Sequence, residues 1–181
     1  IKLDDVSFKN IDEFYPHLKD LELLSRGMTS ISSHSLKYFS SLESIKIQQT
    51  SIRSLPESLL SNLTNLRRIS LFWNRKLTYL AENMFERNIR LEKIFINKHP
   101  RLQDIPERLF NGLEDLMDLD LGSNAFSEIQ TELFRIGRKS GECYLKVFRM
   151  MRDSCGTTCH RSLPRLLLEP CKNLLSYIIT D

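Results

Sequence analysis

One hydrophobic period, 24 to 25 residues long, runs through this sequence and leaves few architectures open to it. Counted from its first leucine, each unit begins Leu18-x-x-Leu21-x-Leu23, Leu42-x-x-Ile45-x-Ile47, Leu66-x-x-Ile69-x-Leu71, Leu91-x-x-Ile94-x-Ile96 or Leu116-x-x-Leu119-x-Leu121. Apolar residues follow at matching offsets: Met28 and Ile31, Ile52 and Leu55, Leu77 and Leu80, Leu102 and Ile105, Phe126 and Ile129. Leu36, Leu60, Phe85, Phe110 or Phe134 then closes the unit, and Ile1-x-Leu3, with Val6, Phe8, Ile11 and Phe14 behind it, reads as a sixth unit whose start is missing. A repeat this short cannot enclose a core, so its apolar face must lie against the units before and after it.

The pattern resembles the leucine-rich repeat: a short strand, then a loop or 3₁₀ segment, coiled into a solenoid with parallel strands on its concave face. The likeness covers residues 1–136. Alternation along the strand turns Leu119 and Leu121 inward and leaves Asp118, Asp120 and Gly122 on the concave face. A fully buried leucine contributes roughly 1.5 to 3 kcal/mol, and several per unit must offset the ordering entropy of about 24 residues. Thirty leucines in 181 residues are thereby largely explained. After the strand, where many such repeats carry asparagine to bond backbone groups in the turn, this chain has Arg26, Thr50, Asn74, His99 and Asn124. The slot of His99 gives it a structural role in the turn.

With 26 basic and 23 acidic side chains, net +3 and both signs scattered, no basic stripe points to nucleic acid. The longest apolar runs are three residues, far short of the roughly 18 that span a bilayer. Six glycines leave no Gly-rich phosphate loop, and neither G-x-S-x-G nor H-E-x-x-H occurs. Asp118 and Asp120 are paired carboxylates on one strand face, but no proton partner accompanies them; solvated strand residues or binding residues are the stronger readings, and the chain is read as non-enzymatic, without cofactor.

Beyond Phe134 the period breaks at Gly137 to Gly141, and all four cysteines follow: Cys143, Cys155, Cys159 and Cys171. Residues 137–181 are therefore expected to form a disulfide-stapled cap or hinge over the open end of the solenoid, in an oxidising compartment. Four cysteines permit three pairings, and spacing does not choose among them. Zinc on three cysteines and His160 is the weaker reading, because short C-x2-4-C knuckles are missing. Leu145-x-Val147, 26 residues after Leu119-x-Leu121, predicts one last strand over 144–149 paired with the fifth repeat. Asn62-Leu63-Thr64 is a glycosylation sequon.

Repeats followed by Tyr144-Leu145-Lys146-Val147-Phe148-Arg149, Cys155-Gly156, His160-Arg161-Ser162 and finally Glu169-Pro170-Cys171-Lys172-Asn173-Leu174-Leu175 resemble the ectodomain of a leucine-rich-repeat G-protein-coupled receptor, of the glycoprotein-hormone or relaxin type. Lys172 and Cys159 depart from that pattern. The resemblance implies a peptide or protein hormone as ligand, a G protein reached through a membrane domain absent from this chain, and residence at the extracellular face of the plasma membrane. It also implies that the chain is a segment of a longer receptor, starting within one repeat and ending before a first membrane helix.

Across the repeats the concave columns read Asp20, Ser44, Arg68, Lys93, Asp118; Glu22, Lys46, Ser70, Phe95, Asp120; and Leu24, Gln48, Phe72, Asn97, Gly122. Cations sit mid-array with acids at either end, and Phe72, Trp73 and Phe95 supply exposed apolar surface near the middle. Aromatic anchors ringed by charge are how interface hot spots are built. Lys46, Gln48, Arg68, Ser70, Phe72, Trp73, Lys93, Phe95, Asn97, Asp118 and Asp120 are thus the expected ligand-binding residues. Two alternatives stand beside a hormone receptor: a secreted or single-pass adhesion or immune-recognition protein, and a cytosolic scaffold with reduced cysteines.

Overall fold

The computed structural model describes residues 15–126 in full, together with the backbone of short strands at 2–3, 138–139, 142–143, 147–151 and 176–180. Each repeat contributes one parallel strand: β2 (Asp20–Leu24), β4 (Ser44–Gln48), β5 (Arg68–Phe72), β6 (Lys93–Asn97) and β7 (Asp118–Asp120). Register repeats with the sequence: Leu21 faces Ile45, Ile69, Ile94 and Leu119 in turn, and Leu23 faces Ile47, Leu71 and Ile96. Those inward positions are buried from β4 onward, while their neighbours on the other face are mostly half-buried or exposed. The alternation expected from the sequence holds strand by strand.

Turns on the far side of each unit bring Leu36, Leu60, Phe85 and Phe110 into the same core. One of these turns is a 3₁₀ helix, Glu57–Leu60, entered from Pro56, whose fixed φ suits a helix start. Phe85 and Phe110 stack across two repeats at 6.2 Å with their rings 13° apart. Asn88, fully buried in the slot that Phe39, Leu63 and Leu113 fill elsewhere, donates its amide to the carbonyls of Leu60 and Leu63 at 3.0 and 2.8 Å.

Two ends of the array depart from expectation. β1 (Lys2–Leu3) pairs with β3 (Ser30–Ile31), on the narrow ribbon after the turn where Ser54 also bridges Tyr79, and not with β2. Counting the period back from Leu18 explains this, since the concave strand of a preceding unit would fall before residue 1. Ile1-x-Leu3 is therefore not a leucine strand of the sixth unit.

At the other end, β10 (Val147–Met151) does pair with β7, but with Phe148 facing Leu119 rather than Leu145 facing it. The slip of three residues from the predicted register exchanges the two faces of the strand. β11 (Ser176–Thr180) continues the sheet beyond β10, and both steps measure 29 residues, Asp118 to Val147 to Ser176. A short antiparallel pair, β8 (Arg138–Lys139) with β9 (Glu142–Cys143), lies between β7 and β10 in the chain. The described strands of the tail thus lengthen the parallel sheet to seven. Cys155, Cys159 and Cys171 lie outside the described residues, as does the side chain of Cys143, so the cap remains an expectation.

Candidate functional site

From β4 to β7 the turn after the strand is built by two successive residues with separate tasks. Gln49, Trp73, Lys98 and Ser123 take left-handed φ values of 52°, 51°, 60° and 57°. In that conformation the N–H of Gln49 reaches the Phe72 carbonyl at 3.0 Å, that of Trp73 reaches Asn97 at 3.2 Å and that of Lys98 reaches Gly122 at 3.1 Å. The next residue turns inward and forms a buried polar ladder. Asn74 accepts from the Thr50 N–H and hydroxyl at 3.0 and 2.8 Å and donates to the Ile47 carbonyl at 2.8 Å. Asn124 accepts from the His99 N–H at 3.0 Å and donates to Ile96 and Leu121 at 2.6 and 2.8 Å.

His99 fills the rung between them and is fully buried. Its Nδ1 accepts the Asn74 N–H at 3.1 Å and its Nε2 meets the Leu71 carbonyl at 3.0 Å, which assigns the neutral tautomer protonated at Nε2. Nδ1 also lies 3.3 Å from the Asn74 carbonyl, but a nitrogen that receives an N–H has no proton to offer that oxygen. Burial pushes the imidazole down to about 4, against opposing help from the two carbonyls. His99 therefore does the work of a ladder asparagine, the structural role its position implied.

The concave face assembles most of the residues expected on it. Lys46, Arg68, Ser70 and Phe95 line a shallow groove of about 250 Å³ with Asp20 and Ser44. Arg68 Nη2 stands 3.7 Å from Asp20 Oδ1, so the cationic centre and the acidic end meet across two strands rather than occupying separate zones. Gln48 donates to Glu22. Lys93 and Asp118 are neighbours in register and half-buried.

One expectation for this face, the exposure of its two phenylalanines, is corrected. Phe72 and Phe95 are half-buried rather than openly exposed, because strand neighbours cover their flanks. Phe72 meets Trp73 edge-on, with centroids 6.3 Å apart at 88°, and Lys98 Nζ sits 4.9 Å over its ring, so Phe72 serves partly to hold Trp73 in place. Asp120 accepts the Gly122 N–H at 2.9 Å and the Asn97 amide at 3.0 Å and so ties the strand end down. Asn62, the sequon residue, is exposed in the turn leading into β5, while Leu63 beside it is buried.

Residues 7–137 match the BspA type leucine rich repeat region in six copies. The chain belongs to this leucine-rich-repeat family. Such repeats form protein-interaction modules, and no catalytic grouping accompanies them here among the described residues. Among solved structures, the leucine-rich repeat domain of the type III effector XopL is similar, with a TM-score of 0.61 at 18% identity. The match covers 77% of this chain and spans only 46% of that one, and it bears on the fold alone. No curated protein matches the sequence.

The sequence reading missed a second concavity of this BspA-type array. A cleft of about 300 Å³ opens at the turn edge, beside the concave face, lined by Arg26, Gln49, Thr50, Ser51, Trp73, Arg75 and Lys76. Arg75 stacks over the Trp73 indole at 4.9 Å. Only Trp73 among these was singled out as a ligand contact; the signal that could have found the rest is the left-handed slot, which throws the following residues out of the strand and together at one edge.

Proposed function

We propose that the chain is the ligand-binding module of an extracellular receptor and captures a peptide or protein ligand on its concave face. The observation that carries this reading is the groove where Lys46, Arg68 and Phe95 converge. A half-buried ring beside two cations on a rigid parallel sheet combines apolar area with charge, and little side-chain freedom is lost on binding. The tail extends the reading to a hormone-receptor-like ectodomain signalling through a G protein; that extension rests on the resemblance of residues 144–149, 155–156, 160–162 and 169–175 behind the repeats. If occupancy is relayed, the ligand must bind two arrangements of the tail unequally, since equal binding shifts nothing.

Selection of a displayed library of constrained peptides against natively produced protein tests the face. Most enriched peptides should lose at least tenfold in affinity toward Phe95→Ala and toward Arg68→Glu, yet bind Glu82→Lys, an exposed change on the outer turn, as before. Peptides that bind all three variants like the parent would end the assignment. For the extracellular setting the check is chemical: titration of the unfolded, unreduced protein should find no free thiol, and four would leave the cytosolic scaffold standing.

A further inference from the structure

The two edges of the sheet treat charge in opposite ways. Where the chain enters the strands, Lys19 pairs with Glu43 at 2.8 Å and Arg67 with Glu92, so cation and anion alternate from repeat to repeat. Lys19 holds the Glu43 carboxyl below its ordinary range. Where the chain leaves them, residues 25–27, 49–51, 73–76, 98–101 and 122–125 contain Arg26, Arg75, Lys76, Lys98 and Arg101 and no acid at all. Among the described residues, no carboxylate pairs with Arg26, Arg75 or Lys76. The same edge carries the cleft of about 300 Å³, with the exposed Trp73 indole as its apolar wall and Gln49, Thr50 and Ser51 as its polar floor.

We propose that this edge is a second docking site, distinct from the concave groove, for an acidic peptide segment bearing an aromatic residue. Strands lie about 4.8 Å apart, so Arg26 to Lys98 spans three steps, about 14 Å, or some four to five residues of extended chain at about 3.4 Å each. Carboxylates along such a segment would meet Arg26 at one end and Arg75, Lys76 and Lys98 at the other, across the uncharged turn at 49–51, and Arg75 offers the planar fork that suits a carboxylate. An aromatic side chain between them would lie against Trp73. Among the described residues no carboxylate neutralises Arg26, Arg75 or Lys76, so binding them costs no ion pair there. A sulfated glycan would satisfy the charge but make no use of the indole; a single-stranded nucleic acid would stack a base on it, and titration with single-stranded DNA separates that case.

Trp73 is the only tryptophan in the chain, so its fluorescence reports on the cleft directly. The full chain is titrated with a hexapeptide of alternating glutamate and phenylalanine, with its glutamine counterpart, with a heparin hexasaccharide and with a single-stranded DNA hexanucleotide. The acidic peptide should bind and shift the emission, weaken steeply between 50 and 500 mM salt, and lose at least tenfold in affinity in the Arg26→Gln/Arg75→Gln/Lys76→Gln variant but not in Arg68→Gln, which lies in the concave groove. Equal binding by the glutamine peptide, tighter binding by the glycan or the DNA, or no binding by the acidic peptide would overturn the proposal. Should the triple variant fold poorly, the single Lys76→Gln and Arg75→Gln variants and the salt series decide it.

Discussion

His99 is the residue whose chemistry says most about the turn. Its ring is held neutral near a value of about 4, against the usual 6.5 in an unfolded chain. Above pH 6.5 both states are neutral and the rung contributes fully. Below it the unfolded chain takes up a proton that the fold refuses, so stability falls between about pH 6.5 and 4, by about 3 kcal/mol in all. Urea unfolding at pH 7.5 and pH 4.5 should show that loss, and His99→Asn should remove most of its pH dependence while keeping a rung in place. Asn74→Ala strands the buried Thr50 N–H and the Ile47 carbonyl together and should cost about 2 to 4 kcal/mol at neutral pH. Gln49 holds a left-handed φ of 52° with a β-carbon, so Gln49→Gly should raise stability by about 0.5 to 1 kcal/mol, seen as a higher midpoint in the same titration. Asparagine at 74 and 124 was legible as a turn residue. The left-handed positions before each rung were not, because glutamine, tryptophan, lysine and serine give no hint of a positive φ.

Strands show where the sequence carries register and where it does not. Within β4 to β7 the period is unbroken, and a one-residue slip would turn Ile69 and Leu71 out to water, so pattern and pairing agree. Leu71→Ala should cost about 2 to 5 kcal/mol because Leu71 is fully buried between two repeats, whereas Ser70→Ala on the opposite face should stay within about 0.5 kcal/mol. Thermal unfolding of the two variants side by side makes the comparison. Past Asp120 the step between paired strands lengthens to 29 residues, so a step of 26 places Leu145 opposite Leu119 where Phe148 in fact pairs with it. Charge was likewise half legible. The columns put Arg68 and Asp20 on one face correctly, but only the fold brings them to 3.7 Å. The turn-edge cleft went unread because its cations come from residues two to four places beyond the strand, where alternation no longer fixes direction.

Taken whole, the molecule is a stack of units each stabilised by its neighbours, with a continuous apolar core, a polar ladder along one edge and a sheet open to ligands on the other side. On the function proposed above, the sheet's concave face, and not the outer turns, receives the protein ligand. Hydroxyl-radical footprinting of the natively produced chain, alone and saturated with a peptide enriched by selection, tests this most directly. Protection should concentrate at Lys46, Arg68 and Phe95 in β4 to β6, with the outer turns at 57–64 and 82–90 unchanged; protection confined to those turns, with the sheet face as reactive as before, would overturn the assignment.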